Sequence, residues 1–190
     1  MRIAARLALQ AAALLALLLV DAASHRAWSA DTQAVEYQIK ATFLCKFGNF
    51  VEWPAPKGVA TEAAFGIGVL ASDAVVDELN TAARGQMVNG NPIVVRRLAR
   101  GEAVEGLSLI FVARSHGARL AEMLAEVKGR PILTVTESDQ GSPSGSMVNF
   151  VVVDNKVRFD IALPAAEQSS LKISSRLLAV ARSVIGRPPS

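Results

Sequence analysis

Apolar and polar positions follow two periodicities along this chain. Tyr37, Ala41, Leu44, Phe47 and Val51 recur at the spacing of one helix face, and Phe43 and Phe50 widen the stripe. The spacing predicts a helix over Val35–Glu52, ended at Trp53-Pro54 because a residue before proline is pushed out of the α region. A Pro/Gly stretch (Pro54, Pro56, Gly58) leads to the apolar run Phe65–Ala71, which reads as a strand, and Asp73 can cap a helix reaching about Ala83. Pro92–Arg97 and Leu107–Ala113 are further strand-like runs, Gly117–Val127 a helix, Ile132–Val135 a strand and Gly141–Gly145 a loop by composition. Met147–Val153 and Lys156–Leu163 flank Asp154-Asn155, which suits a two-residue hairpin turn. In the second of these runs Val157, Phe159, Ile161 and Leu163 take one face and Arg158 and Asp160 the other. With Ser174 as N-cap, a last helix buries Leu177, Leu178, Ala181, Val184 and Ile185, and Gly186 and Pro188 stop it.

Strands alternating with helices, followed by one hairpin, predict an α/β fold: a single three-layer domain with a mixed, mostly parallel sheet, a late β-hairpin and a C-terminal helix. No internal repeat or linker divides it. The N-terminus is patterned differently. Arg2 and Arg6 precede Leu7–Val20, a 14-residue run of low polarity, which falls within the ~7–15 residues of a signal h-region and short of the ~20 needed to span a bilayer. Small residues suited to cleavage follow at Ala22-Ala23-Ser24 and at Ala27-Trp28-Ser29. Cleavage after Ser29 is the preferred reading, leaving 1–29 as signal peptide and 30–190 as the α/β domain; an uncleaved anchor is its competitor. No cysteine stands directly after the h-region, where a lipid anchor would need one, and no second hydrophobic span exists. The expected mature chain has no stable membrane insertion and resides in an oxidising exported compartment, most simply a bacterial periplasm.

Composition changes the picture in two places. Half of the 190 residues are apolar (51 %) and 19 % are charged, enough to build a core. The net charge of +3 invites a nucleic-acid partner, but the first 29 residues hold three arginines (Arg2, Arg6, Arg26) against one acid (Asp21), so two of those charges leave with them. No nucleic-acid partner is expected. One cysteine and two histidines exclude a disulfide framework within the chain and argue against a Cys/His metal cluster.

The candidate chemical motifs are weak. Gly66-Ile67-Gly68-Val69-Leu70-Ala71 matches G-x-G-x-x-A, but its glycines lie inside a strand-like run and not at the turn into a helix, so a strand packed under a helix is the better reading. Gly141-Ser142-Pro143-Ser144-Gly145 has the look of a nucleophile elbow with a proline at the nucleophile position. His116 beside Ser115 opens a helix, where capping is commoner than catalysis. Neither an enzyme activity nor a cofactor is expected. Cys45 sits at the edge of the apolar stripe, as an inert half-buried thiol or as a thiol that pairs between chains. Lys40 lies near the centre of that stripe, with Glu36 one turn earlier. The plainer reading is a Glu→Lys pair whose stem covers core while the ammonium reaches water; the sharper one is a charge held near a ligand or partner groove. Arg96, Arg97 and Arg100 form a small cationic cluster, by default a solvated strand end.

Two stretches resemble a known family. Lys40-Ala41-Thr42-Phe43-Leu44, then Phe47, Phe50-Val51 and Trp53-Pro54, resembles the N-terminal signature of the YfiR-like exported proteins. Val148-Asn149-Phe150, Val157-Arg158-Phe159-Asp160-Ile161 and Leu171-Lys172-Ile173-Ser174-Ser175-Arg176-Leu177-Leu178 agree with its C-terminal part, in the family's order, so that the resemblance spans about residues 35–185. It implies a compact periplasmic protein, often a homodimer, without known catalytic residues. It further implies a regulator that binds the periplasmic sensor domain of an inner-membrane diguanylate cyclase and so lowers cyclic-di-GMP output and biofilm formation. The type member has disulfides; a single Cys makes none within this chain, so redox control by an internal disulfide is not implied. The alternative is a sensor of a small periplasmic anion or metabolite, bound in a pocket lined by Lys40, Arg158 or Lys172. The expected partner or ligand contacts are Lys40, Arg158, Lys172, Ser174, Ser175 and Arg176. Cations at a helix start run against the helix dipole, which makes Lys172 and Arg176 candidates for meeting an anionic surface.

Overall fold

The computed structural model describes residues 32–54, 64–139 and 141–186; the expected export signal and cleavage site, Pro56, Gly58 and Pro188 lie outside them. The chain divides by contact after Tyr37. Residues 32–37 belong to helix α1 (residues 32–47), and the unit from Gln38 onward carries everything below. A 3-10 turn (Gly48–Phe50) follows, then β1 (Val51–Glu52), β2 (Phe65–Leu70), α2 (Asp73–Ala83), β3 (Met87–Val88), β4 (Asn91–Arg97) and β5 (Leu107–Val112). A 3-10 segment (Arg114–Arg119) enters α3 (Leu120–Glu126), and β6 (Leu133–Glu137), β7 (Val148–Val153), β8 (Lys156–Ala162), α4 (Leu163–Gln168), β9 (Lys172–Ile173), α5 (Ser175–Val180) and β10 (Ser183–Ile185) complete the order.

Eight strands form one sheet in the order β10-β8-β7-β6-β5-β2-β4-β3. The five strands from β7 to β4 are mutually parallel, while β8 runs antiparallel to β7, and β3 to β4. Strands β2 and β6 are buried along their whole length, as expected where helices cover both faces of a parallel sheet. Side-chain alternation sorts the two faces. Ile110 and Val112 of β5 join Met123 and Val127 in one cluster, placing α3 on that side. Phe111, between them, turns the other way and meets Phe150 edge-on at 6.2 Å. Phe150 also contacts Phe43 and Phe47 of α1 at 6.1 and 5.8 Å, and Phe159 meets both at 5.5 and 5.3 Å. Helix α1 therefore covers the face opposite α3, and the domain has the three layers expected.

The Asp154-Asn155 turn forms as the residues demand: both stand in the left-handed region (φ 50° and 56°), the type I′ geometry that matches strand twist. Gly66 lies within β2 against the backbone of Gly106, so the glycine motif is a close strand packing and not a phosphate loop.

Several boundaries differ from expectation. α1 stops at Phe47, short of Glu52, and tightens into the 3-10 turn at Gly48, which packs so closely that a Cβ there would stand 2.7 Å from Val88 Cγ1; Val51–Glu52 then leaves as an extended segment, paired with Lys172–Ile173. Ser72, not Asp73, is the N-cap residue of α2, and Asp73 pairs with Arg97 instead. The helix expected over Gly117–Val127 is a 3-10 segment that becomes α-helical only at Leu120. The last helix ends at Val180. Ser183–Ile185 forms an edge strand parallel to β8, so Val184 and Ile185 are not part of a helical stripe, and Ile185 is exposed. β-branched Val184 and Ile185 suit a pleated edge, and Arg182 anchors it through a two-pronged bond to buried Asp160.

Candidate functional site

The Lys40 side chain is almost wholly buried, 1 % exposed, and its ammonium stands 2.8 Å from Glu137 Oε1, itself on a 1 % exposed side chain. The plainer expectation, an ammonium reaching water, is thus corrected. The helix-wheel position that aimed Lys40 into the apolar stripe is what buries it, and a buried cation needs a carboxylate. Glu137 supplies it from the end of β6. Its other oxygen accepts the Arg114 backbone N–H at 3.0 Å. The ammonium also lies 6.0 Å from the Phe150 ring centroid, within reach of its negative face. One charged link thereby ties α1, the end of β6 and the start of the 3-10 segment together beneath the phenylalanine cluster. Sequence reasoning missed Glu137; its signal is a lone acid closing an otherwise uncharged strand.

The two motif regions also meet at a second place. β1 and β9 form a two-stranded antiparallel ladder with Val51 opposite Ile173 and Glu52 opposite Lys172. The Ser174 N–H extends it by donating to Phe50 O at 2.9 Å. Ser174 then caps α5, its Oγ accepting the Leu177 N–H at 3.3 Å. Leu171 and Leu177 are buried on either side of this joint. Lys172, Ser175 and Arg176 remain exposed, as does Arg158 on β8, opposite Val151. The expected contact residues are therefore not one cluster. Lys40 is an interior group. Lys172, Ser174, Ser175 and Arg176 form a continuous surface segment held by β1. Arg158 sits on the hairpin.

Other candidates have local partners. Arg96 Nη2 donates to Ala103 O and Glu105 O, Arg97 pairs with Asp73, and Arg100 Nε lies 3.9 Å from Glu122, so these arginines tie down the segment after β4. Ser115 Oγ and His116 Nδ1 are 3.0 Å apart at the surface. Cys45 is a free thiol and is buried, beyond the half-burial expected at the stripe edge; that burial pushes its pKa up to about 11. Among the described residues no group of three His, Cys, Asp or Glu could hold a metal ion, and no helix is long and apolar enough to cross a membrane.

On the α3 face, β6, β7 and β8 carry polar residues where an apolar row would be expected. Thr136 Oγ1 donates to Asn149 Oδ1 at 2.9 Å and contacts Ser146 Oγ at 2.8 Å, and Asn149 Nδ2 donates to Ser138 O at 3.0 Å. Thr134 Oγ1 donates to Gly145 O and accepts the Met147 N–H. These bonds hold the β6–β7 connection onto the sheet.

Comparison with known proteins agrees with the geometry. No curated protein matches the chain. A family model described as YfiR/HmsC-like matches residues 37–182, a span that takes in α1 from Tyr37 onward, the β1–β9 joint, the hairpin and Arg182. Since that match covers most of the sequence, the chain belongs to the YfiR/HmsC-like family.

Proposed function

We propose that this protein is a periplasmic regulatory binding protein that restrains an inner-membrane diguanylate cyclase through the cyclase's periplasmic sensor domain, lowering cyclic-di-GMP and biofilm formation. The family match over residues 37–182 carries the reading, the family being one of cyclase regulators. Restraint works by association: preferential binding to the inactive receptor shifts its population. Moving a receptor from 1:99 to 99:1 takes roughly 10⁴-fold tighter binding to the favoured state, about 5.5 kcal/mol. That demands a preformed contact surface, and the segment Leu171–Arg176 supports one. It presents Lys172 and Arg176 from a backbone fixed on three sides, by the β1 ladder, the Ser174 cap and the buried Leu171 and Leu177. Such fixing reduces the ordering cost of binding.

The experiment is a pull-down from solubilised membranes with the exported chain, followed by the same experiment with Lys172→Glu combined with Arg176→Glu. Capture of a membrane protein bearing a cytoplasmic cyclase domain, weakened at least about tenfold in the folded double variant, supports the proposal. Capture of no such protein refutes the function. Unchanged capture by the double variant moves the contact elsewhere on the surface.

A further inference from the structure

The connection from β6 to β7 is unusual in its physics. The two strands are adjacent and parallel, a relation that normally requires a crossover helix packed on the sheet. Here none of the described residues of the crossover, 138–139 and 141–147, is helical. The space a helix would fill stays open between α3, α4 and the Gly141–Gly145 loop, as a cleft of about 470 Å³. That volume is within the range of small-molecule sites, ~300–1,000 Å³. The cleft does not belong to the Lys172–Arg176 segment, nor is it lined by Lys40, Arg158 or Lys172.

Its chemistry is selective. Lys128 is the one charged residue of the lining, which holds no carboxylate. Ser144 and Gln168 face the cleft, and among the described residues no ion pair or hydrogen bond engages their side chains or the Lys128 ammonium. The C-terminal turns of α3 and α4 also border it, with their closing carbonyls already engaged: Ala125 O accepts the Lys128 N–H and Glu167 O the Ser170 N–H. One cation beside uncommitted hydroxyl and amide groups fits a molecule with one anionic group and several hydroxyls. We infer that this cleft is a binding site for a small hydroxylated organic anion, a hydroxy acid or a sugar phosphate. Lys128 holds the anionic group, and Ser144 and Gln168 its hydroxyls. The site goes beyond the regulatory reading and does not depend on it.

The test is a titration of the ¹⁵N-labelled mature chain with citrate, with glucose 6-phosphate and with glucose as the uncharged control, followed by heteronuclear NMR. The expected result is saturable shifts at the amides of Lys128, Gly129, Ser144 and Gly145 with at least one of the two anions, at a Kd below about 1 mM, and none with glucose. Lys128→Glu should weaken binding at least about tenfold. Ala121→Trp, an exposed helix position at the cleft, should abolish it. Circular dichroism and unfolding midpoints of both variants confirm the fold. Absence of saturable shifts at these amides with either anion, equal binding of glucose, or unchanged affinity in Lys128→Glu overturns the proposal and leaves Lys128 as a charge complementing the end of α3. Each of these outcomes is read on the isolated protein, so it stands apart from success or failure of cyclase capture.

Discussion

Replacing Lys40 by methionine isolates the charged link at the centre of the domain. The variant keeps the length and apolar bulk of the side chain but leaves the Glu137 carboxylate, 1 % exposed, without its cation. Removing one partner of a buried pair typically costs about 3–5 kcal/mol, because the remaining charge is desolvated and unpaired. An exposed pair gives a scale: Arg100 and Glu122 are 3.9 Å apart with side chains 83 % and 53 % exposed, and such pairs contribute about 0–1 kcal/mol. With a urea m-value of about 2 kcal/mol/M, Lys40→Met should lower the unfolding midpoint by about 1.5–2.5 M, and Arg100→Met by at most about 0.5 M. Glu137→Gln on the Lys40→Met background should recover much of the loss. Gln removes the charge that Lys40 no longer balances and keeps an acceptor for the Arg114 N–H that Glu137 now receives. A Lys40→Met midpoint indistinguishable from wild type, or a double variant no more stable than the single one, would refute the reasoning.

Phe47, 1 % exposed and in contact with Phe43, Phe150 and Phe159, should cost about 3–5 kcal/mol when changed to Ala, read from the shift in denaturant midpoint. Gly48→Ala brings a Cβ to 2.7 Å from Val88 Cγ1 and 2.9 Å from Phe65 Cζ; a loss of about 1–3 kcal/mol is expected, partly restored by adding Val88→Ala. The Cys45 pKa, raised by burial from 9.0 to about 11, sets a pH dependence of known sign. The neutral thiol is favoured in the folded state, so its contribution is complete below pH 9 and is lost as pH rises through about 11. Stability should therefore fall more steeply between pH 9 and 11 in wild type than in Cys45→Ala, and native Cys45 should resist a thiol reagent at pH 8 that labels it in denaturant. Arg182→Ala should speed amide exchange across Ser183–Ile185, whose attachment to β8 that side chain clamps through Asp160; unchanged exchange would assign the edge strand's order to its ladder alone.

What the sequence reveals, and what it hides, divides by the range of the interactions. The Asp154-Asn155 hairpin, the α1 stripe and the Ser174 cap are local, set by residues a few positions apart, and all three appear in the structure. The Asn89-Gly90 turn, with φ 51° and 85°, joins β3 to β4 and bears an equally local dipeptide signal. It is hidden because β3 is only two residues long. β1 and β9 exist through their pairing with each other, which no periodicity of two residues can announce. Val184 and Ile185 fit a helical stripe and a strand equally well by spacing, and the distant Asp160–Arg182 bond favours the strand. The position of Lys40 was readable on a helix wheel, but its partner Glu137 lies on another element, brought near only by the fold. The polar row Thr134, Thr136 and Asn149 was legible residue by residue as interruptions of apolar strands. Its meaning, a loop and a cleft in place of a helix, required the strand order.

The central claim is regulation of a cyclase from the periplasm, and intracellular cyclic-di-GMP tests it most directly. The measurement is mass-spectrometric quantification in cells lacking the gene, in the same cells carrying the full-length chain, and in cells carrying residues 30–190 without the export signal. Restraint from the periplasm predicts a several-fold rise on deletion, return to the wild-type level with the full-length chain, and no return with the unexported one. An unchanged cyclic-di-GMP level on deletion, or full restoration by the unexported chain, would contradict it.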